Sequence, residues 1–396
     1  MSEWKDFKMG EVVKTNTSQY SLSENWNTIQ YLDTGNITKN QISNIEIYFD
    51  NKGLPSRARR KVKHGDIIYS CVRPNLCHYG YLDNPPSNLL VSTGFVVITV
   101  KTEFADSRFI YYYLTQNQIV QTLHAIAEQS VSTYPSIKAS DIESINVSLP
   151  PLSIQKKIAS ILSSLDDKIA VNKKICENLE AQAQALFKHW FVDFAPFKDG
   201  KFIDSELGLI PEGWRVGTLG DVAVITMGQS PAGSSYNEKG EGVIFYQGRT
   251  EFGFRYPSVR LYTTEPKRFA EPLSTLLSVR APVGDINVAT ERCCIGRGLA
   301  SIKSNNNCHS YIFYLLQSMK RRFDVYNGEG TVFGSINKDT LNGLKIIIPS
   351  NSIILEFEEI VGEMDKKIFE SHQENLRLAS LRDTLLPKLM SGQIIL

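Results

Sequence analysis

Few residues of this chain stand in a pattern that catalysis or metal binding requires. Segment 228–235 imitates the glycine spacing of a phosphate loop, but Ser234 stands where the phosphate-binding lysine belongs. Glu265-Pro266-Lys267 matches half of a nuclease metal motif, a pattern that occurs by chance in most chains of this length. The six cysteines form no Cys-x-x-Cys pair, and the histidines show no ligand spacing. We therefore expect no catalytic residue, no bound metal, and reduced, mostly buried thiols.

Basic residues are better placed to do chemistry. Five fall between positions 57 and 63, after a Gly53-Leu54-Pro55 turn that predicts an exposed loop, and a second group is interleaved with aromatic residues between positions 246 and 268. Arginine can bind guanine edges bidentately and lysine mainly contacts phosphates, although a solvated charged face explains such charges equally well. The predicted DNA-binding residues are Arg57, Arg59, Arg60, Lys61, Lys63, Arg73, Tyr134, Lys138, Arg249, Arg255, Arg260, Lys267, Arg268, Arg280 and Lys338.

The composition is that of an ordinary globular protein. Apolar residues make up 42% of the 396 residues, charged residues 21%, and the formal net charge is +1. Contact with nucleic acid must therefore come from local patches. The length favours two domains or more. The sequence shows no apolar run that could span a bilayer and no secretory signal, so we expect a cytoplasmic protein without membrane contact.

The chain repeats itself at an offset of 199 residues across about fifty residues. Ser136 and Ile137 recur as Ser335 and Ile336, and the similarity upstream is fainter and gapped. Two long helices are predicted within the repeat, because residues at heptad spacing form a seam in each copy. The seam residues are Ile158, Leu165, Asn172, Leu179 and Leu186 in one copy, and Phe357, Met364, Ser371, Leu378 and Leu385 in the other.

The predicted helices also have a second apolar row and polar residues at the middle of each seam. Ile154, Ile161 and Ile175 are expected to form a companion row beside the first seam. The polar residues at the middle of each seam, Asn172 and Ser371, can fix the register in which two helices pair. Each helix of roughly 40 residues would be about 60 Å long. Separate surface helices are the alternative.

These patterns predict an α+β protein with a pseudo-twofold internal repeat. Two strand-rich lobes, each with one helix, are separated by two long antiparallel coiled-coil helices. The predicted boundaries are 1–149 for the first lobe, 150–197 for the central helix, 198–348 for the second lobe and 349–396 for the C-terminal helix. The lobes have diverged more than the helices, as expected if each lobe recognises something different.

The most specific segments resemble the specificity subunit of type I restriction-modification systems. They are Leu149-Pro150-Pro151-Leu152-x-x-Gln155 at a helix start, the stretch 186–194 at its end, Pro211-Glu212-Gly213-Trp214, Gly228-Gln229-Ser230-Pro231, and 385–392. Ile154 departs from the pattern, since that family usually has an acidic residue before Gln155. The second copy has lost the double proline.

The resemblance implies a non-catalytic subunit with two target-recognition domains. Each domain would read one half of a split, asymmetric site in double-stranded DNA, and the helices would set the gap. It implies assembly with two methyltransferase subunits and with restriction subunits, which would use S-adenosylmethionine, ATP and Mg²⁺, while this chain binds no cofactor. The charged faces of the helices, including Glu356, Glu358 and Glu359, are expected to dock the methyltransferase subunits.

Two other functions remain open from the residues alone. A self-sufficient DNA methyltransferase would explain Asn84-Pro85-Pro86-Ser87, which has the start of the loop that holds a target adenine. Ser87 replaces its stacking aromatic residue, and no glycine-rich loop for S-adenosylmethionine accompanies it. A coiled-coil structural adaptor without DNA affinity would suit the near-neutral net charge.

Overall fold

A computed structural model describes residues 4–130, 134–280, 282–327 and 334–396. The chain divides into two compact units. Unit 1 comprises Met1–Val171 and Glu374–Leu396, and unit 2 comprises Asn172–Gln373. Two helices of 40 residues, the central helix Leu152–Phe191 and the C-terminal helix Asn351–Met390, each contribute one part to both units. Each unit therefore holds one lobe and a portion of both long helices.

The lobe of unit 1 is built on two four-stranded sheets. One has the strand order Glu46–Phe49, Thr28–Leu32, Leu89–Ser92 and Ala58–Lys61, and the other Val13–Thr15, Phe95–Val100, Ile67–Ser70 and Tyr79–Tyr81. Short antiparallel pairs join Lys5–Lys8 to Asn146–Leu149 and Ile37–Thr38 to Gln41–Ile42. The α-helices of this lobe are Met9–Val12, Ser107–Leu114, Asn117–Glu128 and Ala139–Glu143. One-turn 3₁₀ helices lie at Leu22–Glu24, Thr34–Asn36 and Pro74–Leu76.

The lobe of unit 2 repeats this plan. One sheet has the order Ala223–Met227, Leu299–Ser304, Thr275–Ser278 and Ile286–Val288, and the other Tyr236–Asn237, Leu261–Thr263, Val243–Tyr246, Cys293–Ile295 and Phe269–Ala270. Antiparallel pairs join Arg215–Thr218 to Lys345–Ile348 and Phe202–Ile203 to Ile210–Pro211. The α-helices are Leu219–Val222, His309–Ser318, Lys320–Asp324 and Lys338–Asn342. The 3₁₀ helices are Ala195–Phe197, Gly233–Ser235, Arg249–Glu251 and Val325–Asn327.

The two lobes share a topology down to the direction of individual strand pairs. Within the described residues, each contains a single parallel strand pair, Thr28–Leu32 with Leu89–Ser92 in unit 1 and Val243–Tyr246 with Cys293–Ile295 in unit 2. In each unit, the second strand of the parallel pair also pairs with an antiparallel strand. That antiparallel strand begins directly after an arginine. Unit 2 adds the edge strand Tyr236–Asn237. The internal repeat predicted from the sequence is confirmed.

The long helices pair in an antiparallel sense within each unit. In unit 1, Asp166 of the central helix forms an ion pair with Arg382 of the C-terminal helix, and Lys168 forms one with Glu374. In unit 2, Phe187 lies against Phe357, with ring centroids 5.7 Å apart, while Cys176 lies beside Ile368. The residue numbers of the contacts therefore increase along one helix as they decrease along the other.

Burial along the helices follows the heptads. The predicted seam residues Ile158, Asn172, Phe357 and Ser371 are buried, and the other members of both seams are half-buried. The companion row Ile154, Ile161 and Ile175 is half-buried, like most of the seam, and Ile154 and Ile161 pack against the core of unit 1. The more buried row contains Gln155, Leu162, Cys176 and Ala183 in the central helix and Ile354, Val361 and Ile368 in the C-terminal helix.

Two further expectations need correction. Each lobe was predicted to hold one helix, but several more are present, including Asn117–Glu128, which the sequence analysis missed. The basic segment after Pro55 was predicted to be a loop, whereas Ala58–Lys61 is a strand paired with Leu89–Ser92. A strand fixes the direction of each side chain, so alternate residues of this segment face different environments.

Candidate nucleic-acid interface

In unit 1, a series of backbone hydrogen bonds draws several of the predicted DNA-binding residues to one edge of the lobe. The Thr93 N–H donates to the Arg57 carbonyl at 2.8 Å, and the Cys71 N–H donates to the Gly94 carbonyl at 2.7 Å. The Arg73 N–H in turn donates to the carbonyl of Pro135 at 2.9 Å. Arg57, Arg73 and Tyr134 therefore belong to connected loops, although they are far apart in sequence.

The side chains at this edge are available to a ligand to different degrees. Arg57, Arg73 and Lys138 are exposed, and the Arg73 guanidinium lies over the ring of Tyr134, 5.3 Å from its centroid. Such stacking holds an arginine in a defined direction without neutralising it. Within the described residues, Arg57 and Lys138 have no ion-pair partner. Lys63 is also exposed.

Three members of the basic strand segment are less available to a ligand. Lys61 forms an ion pair with Glu24 and lies over the ring of Trp26. Arg59 is half-buried, with its guanidinium near its neighbour's carbonyl. Burial lowers the pKa of Arg60, whose Nε atom has no hydrogen-bond partner within the described structure. Exposed Arg57 and Lys63 are thus better placed for phosphate contact than the three residues between them.

In unit 2, the matching edge carries Arg268, Arg280 and Lys338, all exposed. The Arg268 carbonyl accepts from the Ile295 N–H at 2.9 Å, as the Arg57 carbonyl accepts from Thr93. Arg57 and Arg268 therefore occupy equivalent positions, each directly before its strand. Lys267, next to Arg268, is exposed as well.

The second pair of arginines is neighbouring but not equivalent. The Val279 N–H donates to the Gly298 carbonyl at 2.9 Å, which is the bond that Cys71 makes with Gly94 in unit 1. Val279 thus corresponds to Cys71, and Arg280 lies one position before the equivalent of Arg73. Both lobes nevertheless bring an exposed arginine to this point.

Arg255 was predicted to contact DNA, and the structure contradicts this interpretation. Its side chain is 3% exposed, its Nη2 atom lies 2.6 Å from Asp365 and its Nη1 atom lies 3.5 Å from Glu180. The Tyr314 hydroxyl is 3.2 Å away. Burial alone would lower the pKa of Arg255, but the carboxylates raise it, so the group stays charged. It stabilises unit 2 by joining the lobe to both long helices.

Arg249 and Arg260 are exposed but paired. Arg249 and Lys320 both bind the carboxylate of Asp285. Partial burial would raise the pKa of Asp285, but these two cations lower it overall. Arg260 binds Glu251 at 2.8 Å, whose own side chain is buried. Their charge is largely neutralised, so a DNA contact by either would compete with an existing ion pair.

The anchors between lobe and helices repeat in both units. Asp166 and Asp365, 199 residues apart, each accept a hydrogen bond from a tyrosine of their lobe, Tyr112 at 2.7 Å and Tyr314 at 3.0 Å. Each carboxylate also binds an arginine, Arg382 in unit 1 and Arg255 in unit 2. Both aspartates stand at equivalent positions of the internal repeat, whereas their arginine partners do not.

The acidic surface expected near Glu356 is smaller than predicted. Both carboxylate oxygens of Glu358 accept N–H groups at the start of helix His309–Ser318, from Ser310 and Tyr311 at 3.0 Å each. Burial raises the pKa of Glu358, against the opposing effect of these bonds. Glu358 therefore supports the lobe, and only Glu356 and Glu359 are exposed.

Within the described ranges, no group of three or more His, Cys, Asp or Glu side chains could hold a metal ion. Four of the six cysteines are buried and all six are free. Neither of the long helices, nor any other helix in the described part of the chain, is apolar enough over sufficient length to cross a membrane.

Duplicated lobes with basic edges, each joined to heptad-patterned helices, define a two-domain recognition protein. The profile of the type I restriction modification DNA specificity domain matches residues 1–181 and 211–379. The chain belongs to this family.

Relatives and a solved structure agree with this assignment. The chain is 31% identical to a putative type I restriction enzyme MjaX specificity subunit of Methanocaldococcus jannaschii, over 99% of this chain and 94% of the relative. It is 27% identical to the type I restriction enzyme HindI specificity subunit of Haemophilus influenzae, over the full length of both. A type I restriction-modification S subunit from M. genitalium has a TM-score of 0.55 at 17% identity, covering 98% and 96% of the two chains, and shows the same fold.

Proposed function

We propose that this chain is the DNA-recognition subunit of a type I restriction-modification complex and reads a bipartite, asymmetric site in duplex DNA. One observation carries the proposal. Both lobes place an exposed arginine directly before an equivalent strand, Arg57 and Arg268, and a second exposed arginine nearby, Arg73 and Arg280. A duplicated basic edge suits two half-sites that have the same backbone but different bases.

In this proposal, different residues have different tasks. Exposed, unpaired cations such as Arg57 and Lys138 suit phosphate contacts, which position the protein without reading sequence. An arginine held in direction by an aromatic ring, as Arg73 is by Tyr134, suits a bidentate contact with a guanine edge. The divergence between the lobes then gives each half-site its own sequence.

Partners would supply the catalysis. The proposed complex contains two methyltransferase subunits, which use S-adenosylmethionine, and restriction subunits, which use ATP and Mg²⁺. This chain would bind no cofactor and would work in the cytoplasm. The exposed charged faces of the long helices, including Glu356 and Glu359, are the proposed docking surfaces for the methyltransferase subunits.

The test is methylome sequencing of a host that carries the complete system, with and without this chain. We expect a single bipartite motif whose methylation depends on the chain. Loss of methylation with the double variant Arg57→Ala/Arg268→Ala, and its retention with Arg215→Ala, would support the basic edges as the interface. Arg215 is an exposed arginine on the strand that pairs with Lys345–Ile348.

The outcomes separate the competing functions. Methylation or cleavage by the purified chain alone would contradict a non-catalytic subunit, and heat released on titration with S-adenosylmethionine would indicate a self-sufficient methyltransferase. Duplex binding that does not change with salt concentration, or no binding by the assembled complex, would instead favour a structural adaptor.

A further inference from the structure

Three backbone segments of unit 2 cross closely beside Arg280. They are 228–230, which follows strand Ala223–Met227; 247–248, which follows strand Val243–Tyr246; and 296–298, which joins strands Cys293–Ile295 and Leu299–Ser304. The Gln229 N–H donates to the Ile295 carbonyl at 3.0 Å, and the Gly296 N–H donates to the Tyr246 carbonyl at 2.8 Å. The Arg297 N–H donates to the Ser230 hydroxyl at 3.2 Å.

Glycine makes this crossing possible. A Cβ atom on Gly228 would lie 2.2 Å from the Gly296 carbonyl oxygen, and a Cβ on Gly296 would lie 2.7 Å from the carbonyl oxygen of Gln247. Those contacts involve backbone atoms, which cannot rotate away as a flexible side chain can. The three segments are therefore fixed against one another, and the residues between the glycines are held on a rigid base.

Three polar residues project from this base, one from each segment: Gln229, Gln247 and Arg297. All three are exposed. Within the described residues, none of their side chains has a hydrogen-bond or ion-pair partner. By contrast, the neighbouring Arg249 is neutralised by Asp285. Glutamine and arginine side chains without partners, on a rigid backbone, suit direct reading of base edges, because the backbone that carries them need not be ordered on binding.

We propose that Gln229, Gln247 and Arg297 form a base-reading cluster that determines the half-site sequence recognised by unit 2. This proposal rests on the proposed function and names the residues that give it specificity. Glutamine can form two hydrogen bonds with N6 and N7 of adenine, and arginine can form two with O6 and N7 of guanine, both in the major groove. The unit 2 half-site should therefore contain adenine and guanine at the positions these residues reach.

The equivalent crossing in unit 1 carries different chemistry. Its connection between strands Leu89–Ser92 and Phe95–Val100 has two residues, Thr93-Gly94, where unit 2 has the three residues Gly296-Arg297-Gly298. A Cβ on Gly94 would meet the Thr34 side chain at 2.8 Å, so this turn also lies against the segment that follows its neighbouring strand. The segment there begins with Asp33, which cannot replace glutamine as a donor. Unit 1 should therefore recognise a different base sequence.

The test selects binding sequences from a duplex library with two randomised blocks. The full chain is used together with the type I methyltransferase subunits of its host. The variants are Arg297→Lys, Arg297→Ala, Gln247→Ala and Gln229→Ala, with Arg215→Ala as the matched control for an exposed arginine elsewhere in unit 2. Melting temperatures check that each variant is folded, as expected for exposed positions.

Arg297→Lys keeps the charge but loses the bidentate geometry, so it should lower the preference for one guanine by roughly 5- to 150-fold and leave the salt dependence unchanged. Each glutamine variant should relax one adenine position in the same half-site. The other half-site and the Arg215→Ala motif should not change.

Two results would overturn the proposal and are distinguishable. If the wild-type chain selects a bipartite motif and all four variants select the same motif, the cluster does not read bases, although the proposed function stands. A uniform loss of affinity in Arg297→Ala, with a smaller salt slope and unchanged letters, would likewise show only a phosphate contact. If the wild-type complex selects no motif, the proposed function itself fails.

Discussion

Replacing Arg255 should separate folding from recognition, because this residue looks like a DNA contact in the sequence and is a buried ion-pair partner in the structure. In Arg255→Ala, the carboxylates of Asp365 and Glu180 would remain in a buried site without their cation. Leaving a buried charge without its partner costs about 3 to 5 kcal/mol. For a folding unit of 150–250 residues, that corresponds to a fall in melting temperature of roughly 6 to 20 °C.

The tryptophans allow unit 2 to be followed by itself. Trp4 and Trp26 lie in unit 1, while Trp190 and Trp214 lie in unit 2. In a Trp4→Phe/Trp26→Phe background, fluorescence during urea unfolding reports on unit 2. This avoids treating a chain of two units as a single two-state system.

The matched variant is Arg280→Ala, which removes an exposed arginine without an ion-pair partner in the described structure. It should weaken DNA binding and change the free energy of unfolding by less than about 0.5 kcal/mol. Arg255→Ala should lower the free energy of unfolding. At temperatures where this variant remains folded, it should leave DNA binding unchanged. If Arg255→Ala kept the wild-type unfolding curve but lost DNA affinity and lowered the salt slope, the assignment of Arg255 as a structural residue would be wrong.

Three further outcomes are expected. Removing Arg57 or Arg268 should each lower the salt slope of duplex binding by about one and weaken binding to all sequences alike, and an unchanged slope in both would place this edge away from DNA. Unit 2 should lose stability as the pH falls below about 6.5, because burial lowers the pKa of His309 and His372. As the pH falls, these histidines bind protons in the unfolded state before they do so in the folded state. The free energy of unfolding of His309→Gln/His372→Gln in urea should therefore depend less on pH, and an unchanged dependence would contradict this explanation. Deleting one heptad from both long helices should shift the lobes by about 10 Å and shorten the gap between half-sites without changing their letters. Methylome sequencing that showed the original gap in an active variant would refute this.

The long helices could be predicted because their signal is local and periodic. Ile158 and its seam partners recur every seven residues, and a two-helix pairing is the ordinary way to bury such a row. A more deeply buried row beside the seam was missed, because the companion row was chosen by hydrophobicity. The buried positions one residue later are occupied by Gln155, Cys176 and Ala183, which are polar or small. Both rows stand three and four residues from the seam, so heptad spacing alone does not distinguish them.

The recognition edges were only partly predictable, because a sequence does not show which arginines are neutralised. Nothing in the sequence around Arg255 and Arg268 shows which of them is neutralised. The partners of Arg255 are Glu180 and Asp365, which lie far from it in the sequence on the two long helices. Arg297 was overlooked because it is an isolated basic residue. Its flanking glycines were the available signal, since Gly-x-Gly between two strands indicates close approach of backbones.

The order of synthesis makes the composition of unit 1 consequential. Its last portion, Glu374–Leu396, is translated after the whole of unit 2, and Leu389 and Met390 are buried in the same core as Ile158 and Leu162. At 5–20 residues per second, the intervening segment of about 200 residues takes on the order of 10 to 40 s to emerge. During that interval the nascent first lobe carries an uncovered apolar helix face. A chaperone, or the matching helix of another nascent chain on the same messenger, could occupy this face before the proper one arrives.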